Sequence, residues 1–235
     1  MSTAQRLLSV KGLTAWYPRG QPVLDVDELT IPNNTIVGLL GANGSGKTTL
    51  INCLSGVHEQ CRVEEVRHAD RLAGFTDRTF QSARYTVFTE HAGFRYWTFT
   101  AYLTFLAKTY ARRVEADLTE RLIDGFVFGQ FRDKTIGSLS TGNKKKAFLI
   151  AGLALRLPLL ILDEPVDGLD FEGTEFLYTA INEYREHGSV FMSSHIAESF
   201  ERCCDQLYLL RAGALRGPVD DEASLRDVRG LLERQ

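Results

Sequence analysis

Apolar positions along this chain keep two different periods. Thr35-Ile36-Val37-Gly38-Leu39-Leu40 and Leu159-Leu160-Ile161-Leu162 are short, unbroken apolar runs, the pattern of strands buried on both faces of a parallel sheet. Gly188–Ser193 and Arg84–Phe88 read as further strands, and residues 7–31 as strands joined by a turn at Tyr17–Pro22. Elsewhere the period is helical. Phe99, Leu103, Leu106 and Tyr110 fall at spacings of four, three and four within a stretch expected to be helical over 98–128. Thr98 is placed to cap it. Phe176, Leu177, Ala180, Ile181 and Tyr184 give Glu172–Glu186 an inward face. Strands alternating with helices after residue 150 predict an α/β fold with a parallel sheet.

Between the first apolar run and a helix beginning near Thr49 lies Gly41-Ala42-Asn43-Gly44-Ser45-Gly46-Lys47-Thr48. It spells G-x-x-x-x-G-K-[ST], and the strand–loop–helix frame is what a chance glycine-rich turn would lack. Backbone N–H groups of such a loop face an anion at the helix N-terminus. Lys47 adds a point charge for the β- and γ-phosphates, and the Thr48 hydroxyl suits Mg²⁺. The nucleotide-binding set thus runs from Gly41 through Thr49.

Composition narrows the class. The chain has 235 residues, 44% hydrophobic and 24% charged, with net charge −3. That fits one large α/β domain or a core with an inserted subdomain and gives no basic footprint for nucleic acid. Lys144-Lys145-Lys146 reads, on charge alone, as a solvated helix face. The most apolar window, Leu153–Leu162, is broken by Arg156 and Pro158, well short of the roughly 20 apolar residues a spanning helix needs. The expectation is a protein that is soluble or peripheral to a membrane. Four cysteines, Cys53, Cys61, Cys203 and Cys204, show neither zinc spacing nor C-x-x-C and read as packed thiols.

The second apolar run ends in Asp163-Glu164-Pro165. At a strand end beside the phosphate loop, Asp163 can hold Mg²⁺, directly or through water. Glu164, one residue on, can orient or deprotonate an attacking water.

Leu139-Ser140-Thr141-Gly142-Asn143 opens the helix before that strand and resembles the L-S-G-G-Q signature of ABC-type ATPases. Asp163–Asp170 resembles the same family's Walker B and D-loop, and Ser193-Ser194-His195 its switch histidine. The resemblance runs in order from about Val10 to Gly213. It implies an α/β P-loop ATPase core over 1–89 and 151–235, with an N-terminal antiparallel β part, and an inserted α-helical subdomain over 90–150. It implies that Tyr17 stacks on adenine and that His195 contacts the γ-phosphate. It also implies that two nucleotide-binding domains, identical or paralogous, meet head to tail. Ser140, Gly142 and Asn143 would then serve the nucleotide of the other copy, with Asp170 across the seam. Cofactors would be ATP and Mg²⁺. The partners would be a second nucleotide-binding domain and integral membrane transporter subunits, at the cytoplasmic face.

Two departures stand out. Thr141 and Asn143 replace a glycine and a glutamine of the signature. The family's Q-loop glutamine falls on Thr89 or Glu90, with Glu90 favoured as a metal ligand because Glu90–Phe94 resembles a P-E-x-x-G-L-Y loop. Gln81 is the alternative. That loop and the L-S-T-G signature look most like export-type systems with separate membrane subunits. After Gly213 only a short helix is expected. Aromatics crowd Phe94, Tyr96, Trp97, Phe99, Tyr102 and Phe105, as suits a groove for a membrane subunit's short helix. The reading is an ATP-hydrolysing transporter subunit. The alternatives are a soluble ABC-type ATPase acting on a protein or nucleic-acid assembly, and a nucleotide-gated subunit with little turnover.

Overall fold

The computed structural model describes residues 6–18, 20–90 and 93–220. Strands β1 (Arg6–Trp16) and β2 (Pro22–Pro32) form the first hairpin, and β3 (Ile36–Leu40) leads through the glycine loop into helix α1 (Lys47–Leu54). Short strands β4 (Cys61–Arg62), β5 (Glu65–His68) and β6 (Arg71–Leu72) come next, then one helical turn, α2 (Arg78–Gln81), and β7 (Arg84–Val87). Three helices follow: α3 (Phe99–Thr109), α4 (Ala116–Gly125) and α5 (Thr141–Leu155). The chain then runs through β8 (Leu159–Leu162), α6 (Phe171–Tyr184), β9 (Ser189–Ser194), α7 (Ala197–Cys203), β10 (Gln206–Arg211) and β11 (Ala214–Val219).

All these strands join one sheet in the order β6-β5-β1-β2-β11-β10-β3-β9-β8-β7, with β4 on β1. From β10 to β7 the pairing is parallel. Around β1 it is antiparallel. The C-terminal ends of β3, β9, β8 and β7 therefore lie side by side, where open α/β sheets place ligands. That edge carries the glycine loop, His195, Asp163-Glu164 and Thr89.

The unbroken apolar runs have a physical reason. Leu160 and Leu162 face a core shared with α3 to α6. Leu159 and Ile161 face a second core with α1 and the antiparallel strands. Side chains alternate across a strand, so a strand covered on both faces needs apolar residues at every position. Each fully buried leucine contributes about 1.5–3 kcal/mol.

Two expectations change. The helical stretch over 98–128 is two helices, separated near Ala111, whose φ is +50°. Its start is as expected: Thr98 Oγ1 accepts the Ala101 N–H at 3.2 Å. Helix α5, the helix expected after the Leu139–Asn143 run, spans Thr141–Leu155. The lysine run is not a solvated face, because Lys145 and Lys146 are 2% and 4% exposed. Strand β11 follows Gly213, and the short helix expected in this C-terminal stretch falls to residues 221–235, which lie outside the described residues. Among the described residues no helix is long and apolar enough to cross a membrane.

Candidate functional site

The loop after β3 turns tightly enough to need glycine. Gly46 has φ +109°, a conformation L side chains rarely adopt, and a Cβ there would sit 2.7 Å from Leu24 Cδ2. No side chain caps α1, so its first amides remain free to meet an anion. The loop borders a cavity of about 460 Å³ lined by Tyr17, Val23, Asn43, Gly44, Gly46, Lys47, Thr48, Thr49, Thr89, Glu164, Asp167 and His195. Gly41 and Ala42 take part through their carbonyls, and Ser45 through its backbone, whose N–H donates to Ala42 O at 3.1 Å.

Lys47 begins α1 and is buried. Its Nζ donates to Gly41 O at 2.7 Å and Ala42 O at 3.3 Å and pairs with Glu164 Oε1 at 3.1 Å. Glu164 Oε2 lies 2.9 Å from His195 Nδ1. One carboxylate thus bridges a lysine and a histidine from three different elements. Glu164 has φ +46°, an uncommon backbone state for a residue with a side chain. It is held from both sides, since its N–H donates to Ser193 Oγ at 3.0 Å and its carbonyl accepts Lys145 Nζ at 2.7 Å. Burial pulls the Lys145 ammonium below its ordinary value.

Asp163 is fully buried. Its Oδ1 accepts Ser193 Oγ at 2.7 Å, and its Oδ2 accepts Thr48 Oγ1 at 3.0 Å and Thr89 Oγ1 at 2.8 Å. Thr89, not Glu90, is therefore the loop residue at this carboxylate. Glu90 is exposed and does not line the cavity. The physical reason is register: Asp163 N–H donates to Val87 O, which puts Thr89 beside the carboxylate and turns Glu90 to solvent. Gln81 ends α2, before strand β7, and does not line the cavity. Asp167, missed in the sequence, offers a carboxylate oxygen that lies with an oxygen of Glu164 and a ring nitrogen of His195 in a group spanning at most 4.8 Å.

Tyr17 is half exposed at the cavity mouth. Its hydroxyl lies 3.1 Å from Thr49 Oγ1, and its ring meets His58 edge-on at 5.1 Å. His58 was not singled out in the sequence.

The signature residues sit apart from this cavity, and none of Ser140, Gly142 and Asn143 lines it. Ser140 caps α5, its Oγ accepting the Asn143 N–H at 3.2 Å. Gly142 packs against the loop after β8, where a Cβ would lie 2.4 Å from Gly168 O. Asp170 caps α6, accepting the Gly173 N–H at 2.8 Å and Lys146 Nζ at 2.6 Å. Those two donors, Lys146 first, hold its carboxyl below the usual carboxylate range.

Comparison with known proteins agrees with this geometry. The family profile described as "ABC transporter" matches residues 24–167. The putative ABC transporter ATP-binding protein AlbC of Bacillus subtilis is 33% identical, over 94% of this chain and 95% of its own. The manganese transport system ATP-binding protein MntA of Synechocystis sp. is 31% identical, over 96% of this chain and 90% of its own. A solved structure of the ATP-binding subunit of an ABC transporter superposes with TM-score 0.81 at 26% identity, covering 97% of this chain and 98% of that one. The chain belongs to the ABC transporter family as an ATP-binding subunit, and its activity is that of an ATPase.

Proposed function

We propose that this subunit hydrolyses ATP with Glu164 as general base and drives separate membrane subunits through a head-to-tail pair of nucleotide-binding domains. The observation that carries the reading is the bridge of Glu164 between Lys47 and His195 at the mouth of the phosphate loop. Lys47 would leave Glu164 for the β- and γ-phosphates, whose charge and geometry suit a lysine beside free helix amides. Glu164, released, would accept a proton from the attacking water, with His195 fixing the carboxylate's orientation. Tyr17 would cover the adenine.

The Thr48 hydroxyl and the Asp163 carboxylate form an oxygen donor set of the kind Mg²⁺ prefers. Asp163 is a buried carboxylate satisfied by hydroxyls alone, with no cation paired to it among the described residues. These residues fit the metal, with Thr48 and Asp163 holding it and Thr89 orienting Asp163. When bound, Mg²⁺ would neutralise charge developing on the phosphate oxygens. Glu90 has no place in this set.

A single copy leaves its signature outside its own cavity, which supports a partner copy whose nucleotide Ser140, Gly142 and Asn143 would meet. The expected units, a core over 1–89 and 151–235 and a helical subdomain over 90–150, would move against each other with α5 as the joint. On that subdomain Phe94, Trp97 and Phe105 form an exposed aromatic cluster, their ring centroids 5.3–5.7 Å apart, with Tyr96 81% exposed beside them. Such a cluster suits a membrane subunit's short helix. Such docking would put this chain at the cytoplasmic face of the membrane. The test is recovery of the tagged chain from detergent-solubilised native membranes. A polytopic protein retained at stoichiometric level is expected, and recovery without one would move the reading to a soluble ATPase.

A further inference from the structure

Lys145 lies in the first turns of α5 and is 2% exposed. Its neighbour Lys146 ends on the Asp170 carboxylate. Lys145 instead makes one hydrogen bond among the described residues, from Nζ to the Glu164 carbonyl at 2.7 Å. Burial draws this ammonium below its ordinary value, against the pull of the Asp167, Asp163 and Glu164 carboxylates. Taking an ammonium out of water is costly, and an apolar side chain of similar length would fill the same space without that cost. Packing alone is therefore a poor reason for a lysine here.

What the lysine holds is a better one. Glu164 has φ +46°, whereas a following proline, Pro165, favours an extended backbone at 164. Such a conformation persists only where the surroundings fix it. The Glu164 N–H donates to Ser193 Oγ at 3.0 Å, but that hydroxyl also serves Asp163 Oδ1 at 2.7 Å. The Glu164 carbonyl accepts the Asp167 N–H at 3.2 Å and, from outside the turn, Lys145 Nζ. In this backbone state the Glu164 carboxylate meets Lys47 Nζ at 3.1 Å and His195 Nδ1 at 2.9 Å. A rotation of the peptide would swing it away from both. The lysine is presented from a firm support, since α5 also meets the loop after β8 through Gly142 at Gly168 and Lys146 at Asp170.

We propose that Lys145 is a positioning residue for ATP hydrolysis: anchored on α5, it fixes the Glu164 peptide so that the carboxylate faces the phosphate loop. Lys145 does not line the nucleotide cavity, so it acts through Glu164. The inference rests on Glu164 being the base, as proposed above.

The test is made on the full chain with Lys145→Met, which keeps the length of the side chain and removes its donor and its charge. The expected result is a kcat lower by roughly 10- to 100-fold, the scale on which a displaced group loses rate, with KM for ATP, nucleotide affinity and Tm near wild type. In a Glu164→Gln background the same substitution should cause no further fall in the single-turnover rate, because the group it positions is already gone. Wild-type kcat in Lys145→Met overturns the proposal. So does a loss carried by KM, or an equal loss in both backgrounds, the mark of a general weakening of the fold. If Lys145→Met fails to fold, Lys145→Leu takes its place, and failure of both makes the lysine a structural prop and overturns the proposal. Glu164→Gln alone separates the two readings. Wild-type turnover there removes the base itself, whereas a large loss there with wild-type kcat in Lys145→Met removes only the role of Lys145.

Discussion

Two helix N-termini in this chain bear on phosphate chemistry, and they are finished differently. At α1 no side chain caps the helix, while the charged groups around it are already engaged, Lys47 with Glu164 and Glu164 with His195. At α5 the reverse holds. Ser140 caps the helix from within, Ser140 and Thr141 are exposed, and the signature lies outside the cavity. The first end is a site held ready inside one chain, with its charges neutralising each other until a ligand replaces one. The second is closed on itself and, in the proposed pairing, would meet a nucleotide only when another copy brings one. Substitutions at the first should act on chemistry and nucleotide affinity in a single chain. Those at the second should act on stability and on turnover that needs two chains.

The largest effect expected is at Glu164. Glu164→Gln keeps the side chain's shape but cannot take a proton, and removing a general base costs about 10²–10⁴ in rate. Steady-state hydrolysis should fall by that factor while ATP still binds. Unchanged turnover would remove Glu164 from the role of base. Lys47→Ala should act on affinity instead. It deletes charge-assisted contacts worth about 1.5–3 kcal/mol, or roughly 10- to 150-fold in Kd, readable by nucleotide titration of the single chain. Wild-type affinity in that variant would contradict the phosphate-loop reading.

Gly142→Ala probes the other end. The added Cβ would lie 2.4 Å from Gly168 O, and backbone cannot yield as a flexible side chain does. Overpacking of this kind costs about 1–3 kcal/mol. A lower Tm is expected, along with a turnover loss at ATP concentrations where a single chain still binds nucleotide normally. An equal loss of nucleotide affinity would erase the distinction between the two ends.

Much of the first end was legible in the sequence because its residues are contiguous or sit at strand ends. The glycine loop, Asp163-Glu164 and His195 each follow an apolar run, and register then brings them together. The choice between Thr89 and Glu90 was not legible. A hydroxyl carries less chemical signal than the neighbouring Glu90 carboxylate, and only the β7–β8 register decides which faces Asp163. The burial of Lys145 and Lys146 was hidden for a related reason. Their partners lie 19 and 24 residues further on, at Glu164 and Asp170, so the run looked like a solvated face. The break between α3 and α4 was masked because apolar residues continue through it while the backbone turns at Ala111. Asp167 reads as one acid among several until the loop after β8 folds it toward His195.

The smallest effects distinguish two caps that look equivalent. Ser140 caps α5 with a hydroxyl, and Asp170 caps α6 with a carboxylate that also holds Lys146. Ser140→Ala should cost about 1 kcal/mol at any pH, because the hydroxyl does not titrate. Asp170→Asn keeps a good capping group and removes only charge. Its partner Lys146 is buried, but the Asp170 side chain is 61% exposed, so solvent screening limits the loss to about 0–1 kcal/mol. The pH dependence fixes the assignment. Lys146 and the Gly173 amide lower the folded carboxyl's value. Its stabilisation is therefore complete above the unfolded aspartate value of about 3.9 and fades as pH falls through the lower folded value. Paired acid melts should show the gap between wild type and Asp170→Asn closing below about pH 4, while the gap to Ser140→Ala stays constant. A gap for Asp170→Asn that persists into acid would mean the carboxylate contributes through shape alone, and that Lys146 is held by its burial rather than by this pair.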